Sequence, residues 1–337
     1  MKAFVTGSTG LLGSNLTKLL LSQGFEVIAL TRELTKASKL LDEHPSLKLV
    51  QGDMQEVDAF AHYLKGCDVL FHTASYFRES FDYGDHWNQL KAINVDATIK
   101  LMEAAEKAGV SKVIYVSSAS GCIGIIRGGA PSNESTPFQA FNYKNPYFKS
   151  KLMAEEAISN FIKSHDLPVV LILPAGMVGP GDAAPTEMGR FILDVMKGNA
   201  PLIPGGGLPL VDARDVAMSM IAAVYSGQPN ERYIIAGGYY SAKEIIHDIS
   251  EVMGQPVPKN KIHWLFVSLW SFIHNLMCRA QGKKPFIHSD MVRVMLSKQW
   301  FDVSKSAQIL KSTYRPFKET VKDTVEWYRS NGYVRDV

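Results

Sequence analysis

The chain has 337 residues, enough for one large core or two packed domains, and its 46% hydrophobic and 20% charged content excludes a disordered polymer. A net charge of +3 without a long basic run gives no footprint for nucleic acid. Three scattered cysteines (Cys67, Cys122, Cys278) exclude a disulfide framework and point to a reducing, cytoplasmic compartment, and the histidines form no HxxxH pair, so no metal is expected.

In chain order, an apolar strand is predicted over Lys2–Thr6, and no signal peptide is expected ahead of it. It runs into Thr6-Gly7-Ser8-Thr9-Gly10-Leu11-Leu12-Gly13, where a helix over Leu11–Ser22 begins. Glycines three apart between a strand and a helix let the backbone turn tightly and approach a ligand. The helix N-terminus behind them suits a pyrophosphate. This is the expectation of a dinucleotide site. Further short apolar strands bounded by Gly, Asp or Pro are predicted over Glu26–Leu30, Leu47–Gln51, Val69–His72, Lys112–Ser117 and Pro168–Leu173. Helices over Val57–Leu64, Ile93–Ala108 and Pro146–His165 fall between them. The alternation predicts an α/β fold, a doubly wound parallel Rossmann sheet, over residues 1–175. Beyond Pro174, Pro- and Gly-rich turns and then helices predict a smaller, mostly helical substrate-binding portion over 176–337. Parts of it near 208–240, namely Asp212–Ser226 and Arg232–Ala236, are expected to return to the sheet.

The apolar run from Ile262 to Cys278 is shorter than the ~20 residues of a spanning helix and is broken by His263, His274 and Asn275. It reads as a helix covering the substrate pocket. The lesser reading is an interfacial helix touching lipid, flanked by Arg279, Lys283 and Lys284.

Tyr147 and Lys151 are four apart and share one helical face. An ammonium beside a phenol favours the phenolate and lowers the tyrosine pKa, as a general acid–base for an alcohol/carbonyl pair requires. The strand Val113–Val116 ends in Ser117-Ser118-Ala119, whose hydroxyls can either satisfy the local backbone or orient a substrate oxygen. At the end of the second strand stands Thr31-Arg32, followed by Lys36 and Lys39, where an acidic residue would accept from a ribose 2′-OH. Arg32 can instead pair with a 2′-phosphate, which favours NADP over NAD.

Thr6-Gly7-xx-Gly10-xx-Gly13, Ser118 and Tyr147-xxx-Lys151 stand in the order and spacing of the extended short-chain dehydrogenase/reductases, the NAD-dependent epimerase/dehydratase family. Across the whole chain the sequence resembles that family, and within it the dihydroflavonol-4-reductase-like group. Gly52-Asp53-Met54 is similar to the family's adenine-holding turn, and Phe71-His72-Thr73-Ala74-Ser75 to the segment beneath the cofactor. Ile93-Asn94-Val95 resembles its central helix start. Pro174-Ala175-Gly176-Met177-Val178 and Val211–Ala217 resemble its two later motifs.

The resemblance implies that Tyr147 is the proton donor or acceptor, that Lys151 lowers its pKa and holds the nicotinamide ribose, and that Ser118 polarises the carbonyl, with Ser117 as the fallback and Asn94 as a helper. It implies a cofactor site built from Gly7, Thr9, Gly10, Leu11, Leu12, Gly13, Arg32, Lys39, Asp53, Met54, Thr73, Ala74, Ser75, Asn94, Tyr147, Lys151, Pro174, Gly176, Met177 and Val178. A homodimer through Ile93–Ala108 and Pro146–His165 is a family habit. Leu173 before Pro174, Gly176-Met177 in the turn after it, and Ala119-Ser120-Gly121 after the serine depart from the sugar-nucleotide epimerases and dehydratases. A pocket wall of Tyr76, Phe77, Phe81, Ile123, Ile125, Phe138, Phe141, Met177, Met188 and Phe191 is expected, and it suits an apolar or aromatic ketone or aldehyde reduced with NADPH. The alternatives are an epimerase on a sugar derivative and a non-catalytic protein that senses NADP, the second of which the Tyr147–Lys151 pair opposes.

Overall fold

The computed structural model describes residues 1–77, 84–126, 129–138, 145–199, 205–257, 295–296 and 298–334, together with Ile273 and Met277. Seven parallel strands form the central sheet: β1 Lys2–Thr6, β2 Glu26–Thr31, β3 Leu47–Gln51, β4 Val69–His72, β5 Lys112–Val116, β6 Val169–Pro174 and β9 Arg232–Ile235. Their order is β3-β2-β1-β4-β5-β6-β9. Each strand is short, and the inner ones are buried on both faces, whereas the edge strand β3 buries only Val50. The chain reverses direction of winding between β1 and β4, so the crevice beyond their C-terminal ends is where a ligand belongs.

Helices α1 Leu11–Ser22, α2 Leu34–Leu40, α3 Val57–Phe60, α4 Trp87–Lys91, α5 Ala97–Lys107, α6 Ala119–Cys122, α7 Pro146–Phe161 and α9 Ala213–Ser226 accompany the sheet. The expected return of residues 208–240 takes three forms. Asp212 caps α9, which packs on α1 and on β5 and β6 as a covering layer. Arg232–Ile235 is the seventh strand, with Leu171 opposite Arg232. The flanking β8 Gly207–Asp212 is the centre of a second, three-stranded sheet, antiparallel to β10 Gly238–Ser241 on one side and parallel to β7 Gly176–Val178 on the other. Around that sheet α8 Glu187–Met196, α10 Ala242–Met253 and α12 Phe317–Ser330 pack on a separate apolar cluster. It is built on Ile192, Ile246, Ile249, Val321 and Val325. A short helix, α11 Ser304–Ile309, lies against β9.

Three predicted helices differ from the observed ones. Val57–Leu64 tightens into a 3-10 turn after Phe60. The helix expected over Ile93–Ala108 begins earlier, at Trp87, and its segment Ala92–Asp96 widens into a π-helical turn before α5. The helix expected over Pro146–His165 ends at Phe161, where His165 turns back to stack on the Phe161 ring at 3.9 Å and to bond Glu106 at 2.5 Å. No helix among the described residues is long and apolar enough to cross a membrane. The apolar run 262–278 and the basic positions after it lie outside the described residues, except Ile273 and Met277, both exposed.

Candidate active site

The cleft opens where β1 meets α1. Gly7 sits at φ +67°, and a Cβ there would stand 2.7 Å from the Ala74 backbone nitrogen. Only glycine takes that turn without strain. Gly13 is constrained by packing, since its Cβ would fall 2.1 Å from the Gly7 carbonyl oxygen. Gly10 is different. A Cβ on it would touch only the Gly7 oxygen, at 3.3 Å, and would otherwise stand in the cleft that Gly10 lines. Gly10 also caps α1 without a side-chain bond, and the first turn carries no acidic residue. The N–H groups of Leu11, Leu12 and Gly13 therefore face the cleft with the positive end of a twelve-residue helix. Such a cradle fits a pyrophosphate.

The far end of the cleft is lined by Leu30, Thr31, Arg32, Gly52, Asp53 and Met54 from the ends of β2 and β3. Asp53 caps the turn after β3 by accepting from the Gln55 N–H at 2.9 Å. Arg32 lies at the edge of the cleft, and its carbonyl accepts from Gln51 Nε2 at 3.2 Å. Lys39 is on the last turn of α2, exposed and away from the cleft lining.

Beneath the centre run Thr73, Ala74, Ser75, Tyr76 and Phe77. Thr73 Oγ1 donates to the Thr6 carbonyl at 2.6 Å, and the Ala74 N–H donates to Thr6 Oγ1 at 3.2 Å. Asn94, only 2% exposed in the π-helical turn, does not line the cleft. It joins two walls of it instead. Its Oδ1 accepts from the Tyr76 N–H at 2.8 Å and from Ser75 Oγ at 3.1 Å, while its Nδ2 donates to Ser150 Oγ at 2.9 Å. The widened turn brings that amide inward, a use to which π-helical turns at functional sites are often put.

Asn145 caps α7 through bonds to the Tyr147 and Phe148 N–H groups, and Pro146 occupies its first turn. The helix thereby starts beside the cleft with Tyr147 and Lys151 one turn apart, both lining it. Phe77 meets the Tyr147 ring edge-on at 4.8 Å between centroids. Lys151, 3% exposed, donates from Nζ to the Val116 carbonyl at 2.9 Å and lies 6.0 Å from the Tyr147 ring centroid.

Burial sets the direction here. The Tyr147 phenol is raised well above the ordinary tyrosine value, first by burial and then by Cys122, with the Ser75 hydrogen bond opposing. This corrects the expectation that Lys151 lowers it. Lys151 itself is brought down to about 8, chiefly by burial. His72, beneath the site, is buried and brought down to about 3, so it is a neutral bridge between Thr6 Oγ1 at 2.7 Å and Thr98 Oγ1 at 3.0 Å.

Of the two serines after β5, Ser117 lines the cleft and Ser118 does not. Ser117 Oγ donates to Glu155. Ser118 caps α6, its Oγ accepting from the Gly121 N–H at 3.2 Å.

On the opposite lip Met177 and Thr186 complete the lining. Thr186 caps α8 and, with its N–H and Oγ1, donates to Asp182 Oδ2 at 2.8 Å in each case. Tyr328 of α12 donates to the same oxygen at 3.1 Å. Pro174, Gly176 and Val178 lie behind this lip. Pro174 ends β6 opposite Ile235, Gly176 pairs with Leu210, and Val178 is buried in the second apolar cluster.

Of the expected apolar wall, Tyr76, Phe77 and Met177 line the cleft. Ile123 is in the main core, Met188 is buried in the second cluster, and Phe191 packs against it. Ile125 and Phe138 are half-buried outside the lining, and Phe81 and Phe141 lie outside the described residues. Thr186 lines the cleft without having been singled out in the sequence, and Ile93, quoted there only as part of a helix-start motif, lines it as well. Thr186 carried a readable signal, a threonine cap just ahead of an apolar helical period.

Residues 3–236 match the model of the NAD dependent epimerase/dehydratase family. A provisionally named dihydroflavonol 4-reductase of Synechocystis sp. is 30% identical over 98% of this chain and 96% of its own length. Sterol demethylase protein B of Methylococcus capsulatus is 29% identical over 99% of this chain and all of its own. Among solved structures, that of gox2253 superposes with a TM-score of 0.83 at 29% identity, covering 99% of each chain.

Proposed function

The chain belongs to the NAD dependent epimerase/dehydratase family and is an NAD(P)-dependent enzyme, and on that premise we propose that it reduces an apolar or aromatic ketone or aldehyde to an alcohol with NADPH. The observation that carries the reading is the placement of Tyr147 and Lys151 together in the cleft, with the Phe77 ring edge-on to the phenol. In this reading residues 1–175 hold the cofactor, and residues from 176 onward close the substrate side.

The α1 N-terminus and Gly10 hold the pyrophosphate, Asp53 and Met54 bracket the adenine, and Arg32 pairs with the 2′-phosphate through its planar fork. Lys151 holds the nicotinamide ribose, and Thr73, Ala74 and Ser75 form the floor beneath the ring. Bound NADPH supplies the hydride. Tyr147 gives its phenolic proton to the oxygen of the reduced carbonyl. Burial keeps that phenol in its protonated form, so a proton is present for the product oxygen. The resemblance assigns the polarising of the carbonyl to Ser118, which stands just behind the cleft lining; its oxygen accepts from Gly121, which leaves it a hydroxyl proton to give, whereas Ser117 in the lining gives its own to Glu155.

Tyr76, Phe77 and Met177 give the substrate side an apolar character, in keeping with relatives named for a dihydroflavonol and a sterol. A panel of ketones and aldehydes with NADPH, followed by loss of its absorbance, tests the reading. Turnover of apolar members is the expected result. Tight NADPH binding without turnover of any member favours the second reading, an epimerase on a sugar derivative, to which the family's name points.

A further inference from the structure

Glu155 lies one turn beyond Lys151 on α7, with 10% of its side chain exposed. Its Oε1 accepts from Ser117 Oγ, and its Oε2 stands 3.0 Å from Arg232 Nη2. Arg232 comes from β9, across β6 from the strand end that carries Ser117. Its guanidinium also donates to the carbonyls of Glu134 at 3.0 Å and Cys122 at 3.2 Å, so it is fixed by both neighbouring loops. Meanwhile Lys151 Nζ donates to the Val116 carbonyl. Two consecutive residues of the β5 end are thus joined to one turn of α7 by bonds running in opposite directions. Lysine gives to strand, and strand gives to glutamate.

The groups around Glu155 come from every element packed on it: Lys151 on its own helix, Ser117 at the β5 end, Cys122 on α6 and Arg232 on β9. Tyr115 of β5 and Tyr147 share the same enclosure. Burial pushes the Glu155 carboxyl up, and Arg232 is the foremost group opposing it. Burial pushes Lys151 down, and Cys122 and Glu155 oppose that. A buried ammonium without a nearby anion would shed its proton.

We propose that Glu155, clamped by Arg232, is a positioning residue: it draws the Ser117 proton away from the cleft, seats the 116–118 strand end against α7, and supplies the negative charge that keeps Lys151 an ammonium. The proposal rests on the reading of Lys151 as a ligand of the cofactor ribose. It assigns Arg232, more than 80 residues beyond Lys151 in sequence, to the same device.

Fluorescence titration of the full chain with NADPH across a pH series tests it without any substrate. In the wild type, affinity falls as pH rises through the Lys151 transition, and Lys151→Met lacks that limb. In Glu155→Gln the midpoint of the limb moves to lower pH, as removal of an opposite charge one helical turn away requires. Arg232→Met moves it the same way, because Glu155 then takes up a proton. It serves in place of Glu155→Gln should the latter show no cooperative melting transition. A midpoint unmoved in whichever variant folds overturns the role of Glu155. A limb that persists in Lys151→Met, or a wild type that does not bind NADPH, overturns the cofactor reading itself and the proposal with it.

Discussion

Ser117 and Ser118 are adjacent in the chain and opposite in hydrogen bonding: Ser117 gives its hydroxyl proton to Glu155, whereas Ser118 accepts from the Gly121 N–H and keeps its own. A carbonyl needs a donor. Ser118→Ala is therefore expected to lower kcat about 100-fold, the scale of one lost oxyanion donor, with NADPH affinity unchanged. Ser117→Ala should cost far less in kcat. Steady-state kinetics on the best substrate of the panel compares the two, and a larger loss in Ser117→Ala would reverse the assignment.

Tyr147→Phe keeps the ring against Phe77 and removes the only proton the site is proposed to donate to the product oxygen. Reduction should fall by about 100-fold or more, while the NADPH dissociation constant stays within a few-fold of wild type. Turnover near the wild-type rate would remove Tyr147 from the chemistry.

Arg32→Asp places a carboxylate at the end of β2, where it can accept from a ribose 2′-OH and repel a 2′-phosphate. The ratio of kcat/KM for NADPH to that for NADH should drop by about 10- to 100-fold, corresponding to a charge-assisted bond of ~1.5–3 kcal/mol. An unchanged ratio would locate the phosphate contact elsewhere.

Two glycines of the opening loop should separate stability from binding. Gly13→Ala drives a methyl into the Gly7 carbonyl at 2.1 Å, so it should lower the melting temperature by several degrees or prevent folding. Gly10→Ala meets only the Gly7 carbonyl oxygen, at a tight 3.3 Å that a few tenths of an ångström of adjustment relieves, and its methyl intrudes on the cleft. It should leave the melting temperature nearly unchanged and weaken NADPH binding about tenfold or more. Thermal melts with and without NADPH distinguish the two patterns.

Lys151 gives up its proton near pH 8 in the folded protein, against about 10.4 in an unfolded chain. Between those values the unfolded chain holds more protons, so this group makes stability rise with pH; below pH 8 its buried charge costs on the order of 3 kcal/mol. Lys151→Met should accordingly gain most over wild type near pH 7, and that advantage should shrink toward pH 10. Denaturant melts of both proteins at several pH values measure the difference, and a pH-independent gap would contradict the lowered lysine.

The inner parallel strands were readable to within a residue or so because each is a short apolar run closed by a turn residue, and burial on both faces leaves no competing period; the edge strand β3 was readable from its alternation and the Gly52-Asp53 turn after it. Gly7, Gly10, Tyr147 and Lys151 were readable because their spacing is local. The rest depends on residues far apart in sequence. Nothing near Asn94 announces a π-helical turn, since the cause is its bonds to Tyr76, Ser75 and Ser150. The Glu155–Arg232 pair joins α7 to a strand 77 positions later and has no sequence period. The direction of the Tyr147 shift was misread for a related reason. Proximity of a lysine is visible in YxxxK, but the enclosure that sets the direction is made by the whole fold.

Tyr328 reaches back 146 positions to bond Asp182, which in turn holds Thr186 at the lip of the cleft. The order of synthesis therefore runs against the order of the site. Synthesis supplies the Gly-rich loop long before α12, the helix whose Tyr328 completes the bonding of Asp182 behind the lip. A chain interrupted before Phe317 carries every described residue that lines the cleft and still lacks the Tyr328 bond to the carboxylate that holds Thr186. Damage to α12 is thereby felt at the Thr186 lip of the cleft, far from it in sequence.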